Sequence, residues 1–361
     1  MGKRFIIATG GTGGHIFPAL SLEEALRKEG HECLVIADKR FLNFKAKIPK
    51  ILKYKIIPTG TLSRISGIFQ VILGVYFAVF HIMVYRPQVI ISFGGYPSFP
   101  TMAAAILLRK PLMIHEQNSV IGKAHRAVMR WADIISVPFD SVKGLEKADR
   151  NKVHVVGNPV DPLISDIGRK KYPKIKDKDD FNILILGGSQ GAKVLSKIVP
   201  EAIKRMKPLI KSRLSIVQQC RDEDLECVKK VYSGIKVKAE ASGFFLDIDK
   251  RIAKANLIIC RAGASTVSEL IASGRPSILI PISISNHNHQ LLNAKILEGN
   301  KGGWIIEEKD FSAKKLSEKL TYLLSKPDVL SKASTNARSL FIDSNKNMLE
   351  LIERYCAEHD L

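Results

Sequence analysis

Runs of four to six apolar residues recur along the first half of the chain, and segments of helical length separate several of them. Continuous apolar runs of this length are typical of strands that are buried on both faces of a parallel sheet. The strands predicted in this way lie at 4–9, 32–37, 88–93, 111–116, 133–137 and 152–156. The helices predicted between them lie at 18–30, 98–109 and 121–131. This alternation indicates a parallel α/β domain.

The pattern begins again after a stretch rich in proline and charge at 157–181. An apolar strand enters a second glycine-rich turn at 181–192, and the further predicted strands lie at 213–219, 235–239, 256–260, 277–281 and 303–307. A chain of 361 residues exceeds the size at which one hydrophobic core usually stops growing. We predict two doubly wound α/β domains, at 1–160 and 161–340, with a C-terminal helix at about 341–361 packing back on the first.

One segment, residues 65–84, runs for twenty residues without a charge and is bounded by Arg64 and Arg86. Its length is sufficient to span a bilayer. Small or polar residues recur every three or four positions, at Ser63, Gly67, Gln70, Gly74, Ala78 and His81. A span would also place the loop at 10–14 and the strand at 88–93, which belong to one predicted sheet, on opposite sides of the membrane. A transmembrane span and a core helix remain open, but the pattern favours a helix that docks on a membrane surface.

The charge balance favours an anionic partner, because 56 Lys and Arg against 35 Asp and Glu give a net charge of +21. Nucleic acid, an acidic membrane face and phosphorylated substrates all fit this charge. The five cysteines are scattered and form no CxxC pair, so neither a disulfide framework nor a zinc site is predicted. Residues 1–20 enter a glycine loop where a secretory signal would keep its apolar core. We therefore expect a reducing compartment, the cytosol.

The stretch "TGGTGGHIFPAL" at 9–20 follows a predicted strand and opens a helix. Glycines allow backbone N–H groups to approach a ligand, and the helix N-terminus favours negative charge. Ile16 breaks the GxGxxG fingerprint, and the lysine of a P-loop is absent. Asp38 ends the second strand and suits a ribose hydroxyl, so a nicotinamide-dependent oxidoreductase stays open, as does a turn without a ligand.

Polar side chains follow the predicted strands at several points. His15 either caps its turn or takes a proton from a sugar hydroxyl, and the positive helix end disfavours its protonated form. His115, Glu116, Gln117 and Asn118 either satisfy one another as structural links or, in the case of Asn118, reach a sugar hydroxyl.

The second half repeats this arrangement with different side chains. Ser189 lies in the glycine turn at 187–192, where its hydroxyl and the backbone can bind a phosphate. Thr266 and Glu269 have capping-box spacing, although a carboxylate near a nucleotide also chelates ribose diols. Asp247 and Asp249 resemble a metal-binding pair, but their spacing on a predicted helix puts them on different faces, so no metal site is predicted.

Seven motifs occur in a particular order along nearly the whole chain. They are "GGTGGHIFPAL", "SFGGYPSFP", "HEQNSVIGKAHR", "VVGNPV", "GGSQGA", "RAGASTVSEL" and "NHNHQLLNA". This ordered set closely resembles the MurG family of cell-wall glycosyltransferases, which transfer N-acetylglucosamine onto lipid I to give lipid II. The resemblance implies GT-B architecture, with two Rossmann-like domains facing a cleft, the donor held mostly by the second and no metal or other cofactor.

The resemblance also implies roles for individual residues. Thr12, Gly13 and Gly14 would lie near the donor phosphates, Asn118 near the donor sugar, Ser189 at the diphosphate and Phe245 at the uracil. Ala264, Ser265, Thr266, Val267, Ser268 and Glu269 would bind the nucleotide, with Glu269 on the ribose, and Gln290 would hold the N-acetylglucosamine. His15 would be the base. Asp161 departs from the arginine common in the family, and His289 stands where many members have a second glutamine.

The partners implied are UDP-N-acetylglucosamine, undecaprenyl-diphosphate-linked lipid I and the anionic inner face of the bacterial cytoplasmic membrane. The apolar arc of 65–84 would dock on that face, helped by Arg64, Arg86, Lys45 and Lys47. A protein that binds nucleic acid is the remaining rival, but the sequence has no recognition helix, zinc spacing or aromatic-basic platform to support it.

Overall fold

The computed structural model describes residues 2–60, 65–175, 179–188, 191–282 and 288–361, with the side chains of 46 and 47 left out. The chain divides into two compact units. Unit 1 comprises Met1–Asp161 and Ile342–Leu361, and unit 2 comprises Pro162–Phe341. Each unit is built around one parallel sheet, which confirms the predicted class of two doubly wound α/β domains.

Unit 1 contains a parallel sheet of seven strands within the described residues. The strands are β1 (Arg4–Ala8), β2 (Glu32–Ala37), β3 (Tyr54–Ile56), β4 (Val89–Ser92), β5 (Leu112–His115), β6 (Ile134–Val137) and β7 (Val153–Val155). Their spatial order is β3-β2-β1-β4-β5-β6-β7. The chain order therefore reverses between β1 and β4, and ligands of open α/β sheets bind beyond the carboxyl ends of the strands at such a point.

Helices cover both faces of this sheet. They are α1 (Gly13–Lys28), α2 (Ile65–Tyr85), α3 (Phe99–Leu107) and α4 (Lys123–Val128), with 3₁₀ turns at Lys39–Lys47, Tyr96–Ser98, Met129–Trp131 and Arg150–Lys152. One core joins α1 to the sheet, and the other joins α2, α3 and α4 to its opposite face. The last helix of the chain, Ser344–Glu358, buries Met348, Ile352 and Cys356 in the α1 core, so it belongs to unit 1.

Unit 2 repeats the plan with a six-stranded parallel sheet among the described residues. Its strands are β8 (Phe181–Leu186), β9 (Leu214–Gln219), β10 (Lys238–Ser242), β11 (Leu257–Cys260), β12 (Ser277–Leu279) and β13 (Gly303–Ile305), in the order β10-β9-β8-β11-β12-β13. Its helices are α5 (Pro162–Arg169), α6 (Lys193–Lys204), α7 (Pro208–Lys211), α8 (Asp222–Gly234), α9 (Ile248–Lys254), α10 (Ala264–Ser273), α11 (His289–Gly299), α12 (Ala313–Leu324) and α13 (Pro327–Arg338), and a 3₁₀ turn lies at Glu308–Asp310. The helix of unit 1 at Ser344–Glu358 is α14. Here the reversal falls between β8 and β11.

Three local predictions were wrong. The edge strand β3 was missed, because its exposed residues make no apolar run. The strand predicted at 235–239 lies three residues later, in β10, an edge strand whose first three residues are exposed. The Thr266–Glu269 capping box does not form, because α10 begins at Ala264 with Gly263 at its N-cap. Thr266 is therefore already inside the first turn.

Helix α2 presents one narrow face to unit 1 and a wide apolar face to solvent. Its buried residues are Gly67, Val71, Gly74, Ala78 and Ile82. Gly74 lies so close to Pro58 that an added Cβ would collide with the Pro58 carbonyl oxygen. Gln70 lies on the exposed face and His81 is half-buried. The predicted stripe of small and polar residues therefore coincides only in part with the face of α2 that packs on unit 1. Among the described helices, α2 alone is long and apolar enough to cross a membrane by length and composition.

Candidate active site

The first glycine loop leaves β1 and begins α1 at the reversal point of sheet 1. Gly10 and Gly11 have φ values of +147° and +84°, a region that L side chains rarely adopt. Asp38, at the end of β2, holds the loop, because its Oδ1 accepts a hydrogen bond from the Gly11 N–H at 3.1 Å. Its Oδ2 lies 2.6 Å from Nε of Arg40. The Asp38 carboxylate is thus committed to the loop and to Arg40, and not to the ribose role considered for it.

Thr12, Gly13 and Gly14 form the start of α1, with Thr12 at the N-cap. The Thr12 side chain makes no capping hydrogen bond, while its carbonyl accepts hydrogen bonds from the N–H groups of His15 and Ile16. The α1 N-terminus has no acidic residue in its first turn. It therefore offers the partial positive charge of a helix end to a ligand at the edge of the sheet.

His15 lies in the first turn of α1 and is half-buried. Its Nδ1 is 2.9 Å from the carbonyl oxygen of Phe93 and 2.7 Å from Oε1 of Gln117. The loops after β4 and β5 therefore both contact this ring. Gly95, with φ at +74°, leaves room for it, because a Cβ there would lie 3.2 Å from Cδ2 of His15. The structure thus brings His15 to the place where three strand ends meet.

A buried carboxylate organises the loop after β5. Oε1 of Glu116 accepts hydrogen bonds from the backbone N–H groups of Gln117 and Asn118, and Oε2 accepts one from Gly122. Oε2 also lies 3.2 Å from Nδ1 of the buried His125. Burial alone would raise the pKa of Glu116, but the hydrogen bond and the charge of His125 and the backbone donors lower it to about 2. Glu116 is therefore a structural anion.

The same loop is fastened to β6 and to the loop after β7. Nδ1 of His115 lies 3.0 Å from Oγ of Ser136, and its Nε2 lies 3.1 Å from Oδ1 of Asn158. Asn158 also donates from Nδ2 to the carbonyl oxygen of Gln117. The expectation that residues 115–118 satisfy one another holds only in part, because Glu116 contacts Gln117 and Asn118 and Gln117 contacts the His115 carbonyl, whereas the His115 ring bonds outside the cluster. Asn118 differs from the others in being only half-buried, and its Nδ2 donates to Glu116 Oε1 at 3.2 Å.

In unit 2, α10 begins directly beyond the carboxyl end of β11. Its first turn has no acidic residue, and Ala264, Ser265 and Thr266 are half-buried there. Val267 and Ser268 are buried, and Ser268 Oγ donates to the carbonyl oxygen of Ala264. Any contact of these last two with a ligand would therefore have to come from the backbone.

Glu269 follows in the second turn of α10 and is half-buried. Burial raises the pKa of the neighbouring Cys260 thiol, and the negative charge of Glu269 raises it further. Phe245 is buried, and the Arg251 guanidinium carbon lies 4.0 Å from the centre of its ring.

Gln290 lies in the first turn of α11, where its Oε1 accepts a hydrogen bond from the backbone N–H of Ile282 at 3.1 Å. Asn293, one turn later, donates to the carbonyl oxygen of Ala262 at 3.2 Å. These two contacts attach α11 to the segments after β12 and β11. Gln290 is thereby placed at the same sheet edge as the start of α10. Ser189 falls outside the described residues, so its predicted role is not addressed by the structure.

Within the described ranges, no three His, Cys, Asp or Glu side chains converge as a metal-binding group. Asp247 occupies the N-cap position of α9 without making a capping hydrogen bond, and its Oδ1 accepts a hydrogen bond from Nε of Arg251 at 2.8 Å, while Asp249 lies in the first turn of α9.

Sequence reasoning missed two residues at these edges. Gln117 was named only as part of a polar cluster, and its contact with His15 joins positions 102 residues apart. Arg261 was not singled out, although its Nη1 lies 2.7 Å from Oε2 of Glu308 and 3.0 Å from the Ile280 carbonyl oxygen. A polar residue directly after a buried strand was the available signal in both cases.

Known sequences show which class of protein has this fold and this arrangement of loops. Residues 5–137 match the sequence model of the glycosyltransferase family 28 N-terminal domain, and residues 182–352 match that of the family 28 C-terminal domain. Together the two matches cover most of both units. They define a two-domain glycosyltransferase.

Individual relatives are more specific. A protein of Novosphingobium aromaticivorans named UDP-N-acetylglucosamine–N-acetylmuramyl-(pentapeptide) pyrophosphoryl-undecaprenol N-acetylglucosamine transferase is 34% identical, over 98% of this chain and 93% of its own. A protein of the same name from Rhodospirillum rubrum is 38% identical, over 92% of this chain and 86% of its own. The crystal structure of Acinetobacter baumannii MurG is similar with a TM-score of 0.77, 26% identity and coverage of 98% and 99% of the two chains. The chain belongs to the MurG family within glycosyltransferase family 28.

Proposed function

We propose that this enzyme transfers N-acetylglucosamine from UDP-N-acetylglucosamine to the 4-hydroxyl of the N-acetylmuramoyl unit of lipid I, giving lipid II for peptidoglycan synthesis. The observation that carries the proposal is membership of the family across both domains, since the relatives' names specify this donor and this undecaprenyl-linked acceptor. The positions of His15 and of the α10 N-terminus at two sheet edges support it.

The chemistry proposed is single-step inversion. The donor sugar is α-linked to UDP and the family's product is β-linked, so the acceptor hydroxyl attacks from the face opposite the leaving diphosphate, through an oxocarbenium-like transition state. His15 removes the hydroxyl proton, an effect worth roughly 10²–10⁴-fold in rate. Its half-exposed ring at the reversal point of sheet 1 supports this role.

Unit 2 is proposed to bind the donor. The N–H groups at the start of α10, from Ala264 to Thr266, meet the charge that develops on the diphosphate. Glu269 binds the ribose hydroxyls, Phe245 marks the uracil position and Gln290 holds the N-acetylglucosamine. The remaining donor contacts proposed are Thr12, Gly13, Gly14, Asn118 and Ser189, with the backbone of Val267 and Ser268.

Unit 1 is proposed to bind the acceptor and to dock on the anionic cytoplasmic face of the membrane through α2. Large apolar side chains on this helix are exposed, including Phe69 at 69% and Tyr76 at 68%. A helix α2 that was completely buried against the sheet would have contradicted docking, but its apolar face is exposed to solvent. The strands before and after α2, β3 and β4, belong to one sheet, which favours docking over a span. Arg86 is exposed at the C-terminal end of α2.

The test of the reaction is to incubate the enzyme with UDP-N-acetylglucosamine and a lipid I analogue and to identify the product. A single β-linked N-acetylglucosamine on the muramoyl 4-hydroxyl, formed together with UDP, is expected. Glu269→Gln should raise the KM for the donor, while exposed Glu298→Gln on α11 is the matched control. Failure to form that product with any such acceptor would overturn the proposal.

The test of docking is co-sedimentation with vesicles that contain phosphatidylglycerol. Replacing Phe69 and Ile72 by Glu removes two exposed apolar side chains, each worth about 1.5 kcal/mol on burial, so binding should weaken about 100-fold. The control is Leu209→Glu, an 81% exposed apolar residue in unit 2. Equal binding of the two variants would refute docking through α2.

A further inference from the structure

The ring of His15 has a polar environment that is unequal at its two nitrogens. Nδ1 faces two oxygens, the Phe93 carbonyl at 2.9 Å and Oε1 of Gln117 at 2.7 Å. A carbonyl and an amide oxygen can only accept hydrogen bonds. Within the described part of the chain, Nε2 makes no hydrogen bond. Whether Nδ1 carries a proton therefore depends on which atom of the Gln117 amide, the oxygen or the nitrogen, faces the ring.

The orientation of the Gln117 amide follows from its other contact. Its Nε2 lies 2.6 Å from the main-chain carbonyl oxygen of His115, which has no proton to donate. The nitrogen of the amide must therefore be on that side, and Oε1 must face His15. Gln117 is 1% exposed, and its own N–H and carbonyl are bonded to Glu116 and Asn158. Neither the loop nor the side chain is free to turn over.

Two acceptors at Nδ1 determine which tautomer His15 adopts. Nδ1 must carry a proton that it donates to these oxygens, because an unprotonated Nδ1 would place three lone pairs against one another. In a neutral imidazole the other nitrogen, Nε2, then holds the lone pair. The nitrogen that can accept a proton is thus the one that makes no hydrogen bond to any residue the structure describes.

We propose that Gln117 is the positioning residue of the reaction, which acts through His15 by holding the Nδ1–H tautomer and presenting Nε2 as the base. This inference rests on the proposed function, since it assumes that His15 takes the proton of the acceptor hydroxyl. The proton passes from that hydroxyl to Nε2, the hydroxyl oxygen forms the new glycosidic bond, and UDP leaves with the electron pair of the bond that breaks.

The side chain that contacts Nδ1 of His15 is a neutral amide, and this affects the protonation of the ring. A carboxylate would stabilise the imidazolium strongly, so the ring would stay protonated, and unable to act as a base, up to a higher pH. Among the described residues, the charged and titratable groups on the elements that contact His15 have other partners. Asp38 contacts Arg40 and the glycine loop, Arg40 also packs on the ring of Tyr96, Glu116 contacts His125 and backbone N–H groups, and His115 contacts Ser136 and Asn158. Gln117 is the described side chain that contacts the His15 ring directly through a hydrogen bond, so a change of charge at this position acts on the ring.

The direct test is ¹⁵N NMR of the full chain labelled in its histidine rings, without substrate. The His15 signals are assigned by their loss in His15→Gln. The expected result above the pH at which the ring is protonated is a protonated Nδ1 and a bare Nε2. A protonated Nε2 in the wild type would overturn the inference, whatever the activity of the enzyme.

The kinetic test is the pH profile of kcat/KM for transfer to a lipid I analogue. Gln117→Glu should move the acidic limb to higher pH by about one unit or more. Gln117→Met loses one hydrogen bond to the ring, so kcat should fall about 10-fold. The KM for UDP-N-acetylglucosamine should be unchanged, and the acidic limb of the pH profile should not move to higher pH. Ser136→Ala, which alters the same network without touching His15, should leave the limb in place.

The outcomes separate the two proposals. Wild-type transfer with an acidic limb that does not move in Gln117→Glu would overturn the role of Gln117 and leave the proposed function standing. A wild type that transfers nothing would refute the proposed function, while the NMR measurement would still decide the tautomer. Thermal unfolding of each variant identifies any that does not fold, since Glu at 117 cannot donate to the His115 carbonyl when ionised.

Discussion

His115 makes the stability of unit 1 sensitive to moderately acidic pH. The ring is fully buried at the end of β5, and burial lowers its pKa from 6.5 to about 4, against the opposing effect of its hydrogen bond to Asn158. Between these two values the unfolded chain binds a proton that the folded chain does not. The free energy of unfolding contributed by this group is therefore fully present above pH 6.5 and is lost as the pH falls toward 4.

The magnitude follows from the same two values. One pKa unit corresponds to about 1.4 kcal/mol, so the loss across this interval is about 3 kcal/mol. That is a large share of the roughly 5–15 kcal/mol by which domains are usually stable. In His115→Gln this part of the pH dependence should disappear, although the variant is less stable at neutral pH.

The assay can be confined to unit 1, because the two tryptophans fall in different units, Trp131 in unit 1 and Trp304 in unit 2. In a Trp304→Phe background, urea unfolding followed by fluorescence at pH 7.5, 6, 5 and 4.5 reports on Trp131 alone. The control is His359→Gln, an exposed histidine at the end of α14. The reasoning is refuted if His115→Gln loses as much stability between pH 7.5 and 4.5 as the parent.

Two further predictions concern packing and buried charge. Glu116→Gln should destabilise unit 1 by about 1–3 kcal/mol in urea unfolding at pH 7, because an amide NH2 group replaces a buried oxygen that accepts hydrogen bonds and so leaves a buried donor unpaired; an unchanged free energy of unfolding would contradict the role of this carboxylate in the loop. Gly168→Ala should destabilise unit 2 alone, because the added Cβ collides with the Ala272 carbonyl oxygen where α5 packs on α10; unit 2 tryptophan fluorescence would detect it, and an unchanged urea midpoint would argue against that packing.

Most of the fold could be predicted because strands buried on both faces leave an unambiguous apolar run. The failures occurred where that condition does not hold. β3 and β10 lie at sheet edges and expose much of their side-chain surface, so local sequence carries little signal for them. The start of α10 was misplaced because the Thr266–Glu269 spacing fits a cap that the backbone forms earlier, at Gly263.

The candidate site could be predicted only as far as its parts are local. A glycine loop followed by His15 is visible in the sequence, because a strand, a turn and a helix start are contiguous. The contact between His15 and Gln117 is not visible, because it requires β1, β4 and β5 to be neighbours in the sheet. Only the order of strands shows that the loop after β5 supports the ring.

The central claim is that His15 is the base of N-acetylglucosamine transfer, and the most direct test is the steady-state rate of UDP release that depends on a lipid I analogue. The account predicts that His15→Ala lowers kcat by roughly 10²–10⁴-fold while the affinity for UDP-N-acetylglucosamine is unchanged. His359→Ala should turn over like the wild type. A His15→Ala enzyme with normal turnover would contradict the account, and the glycine loop would then serve only to bind substrate.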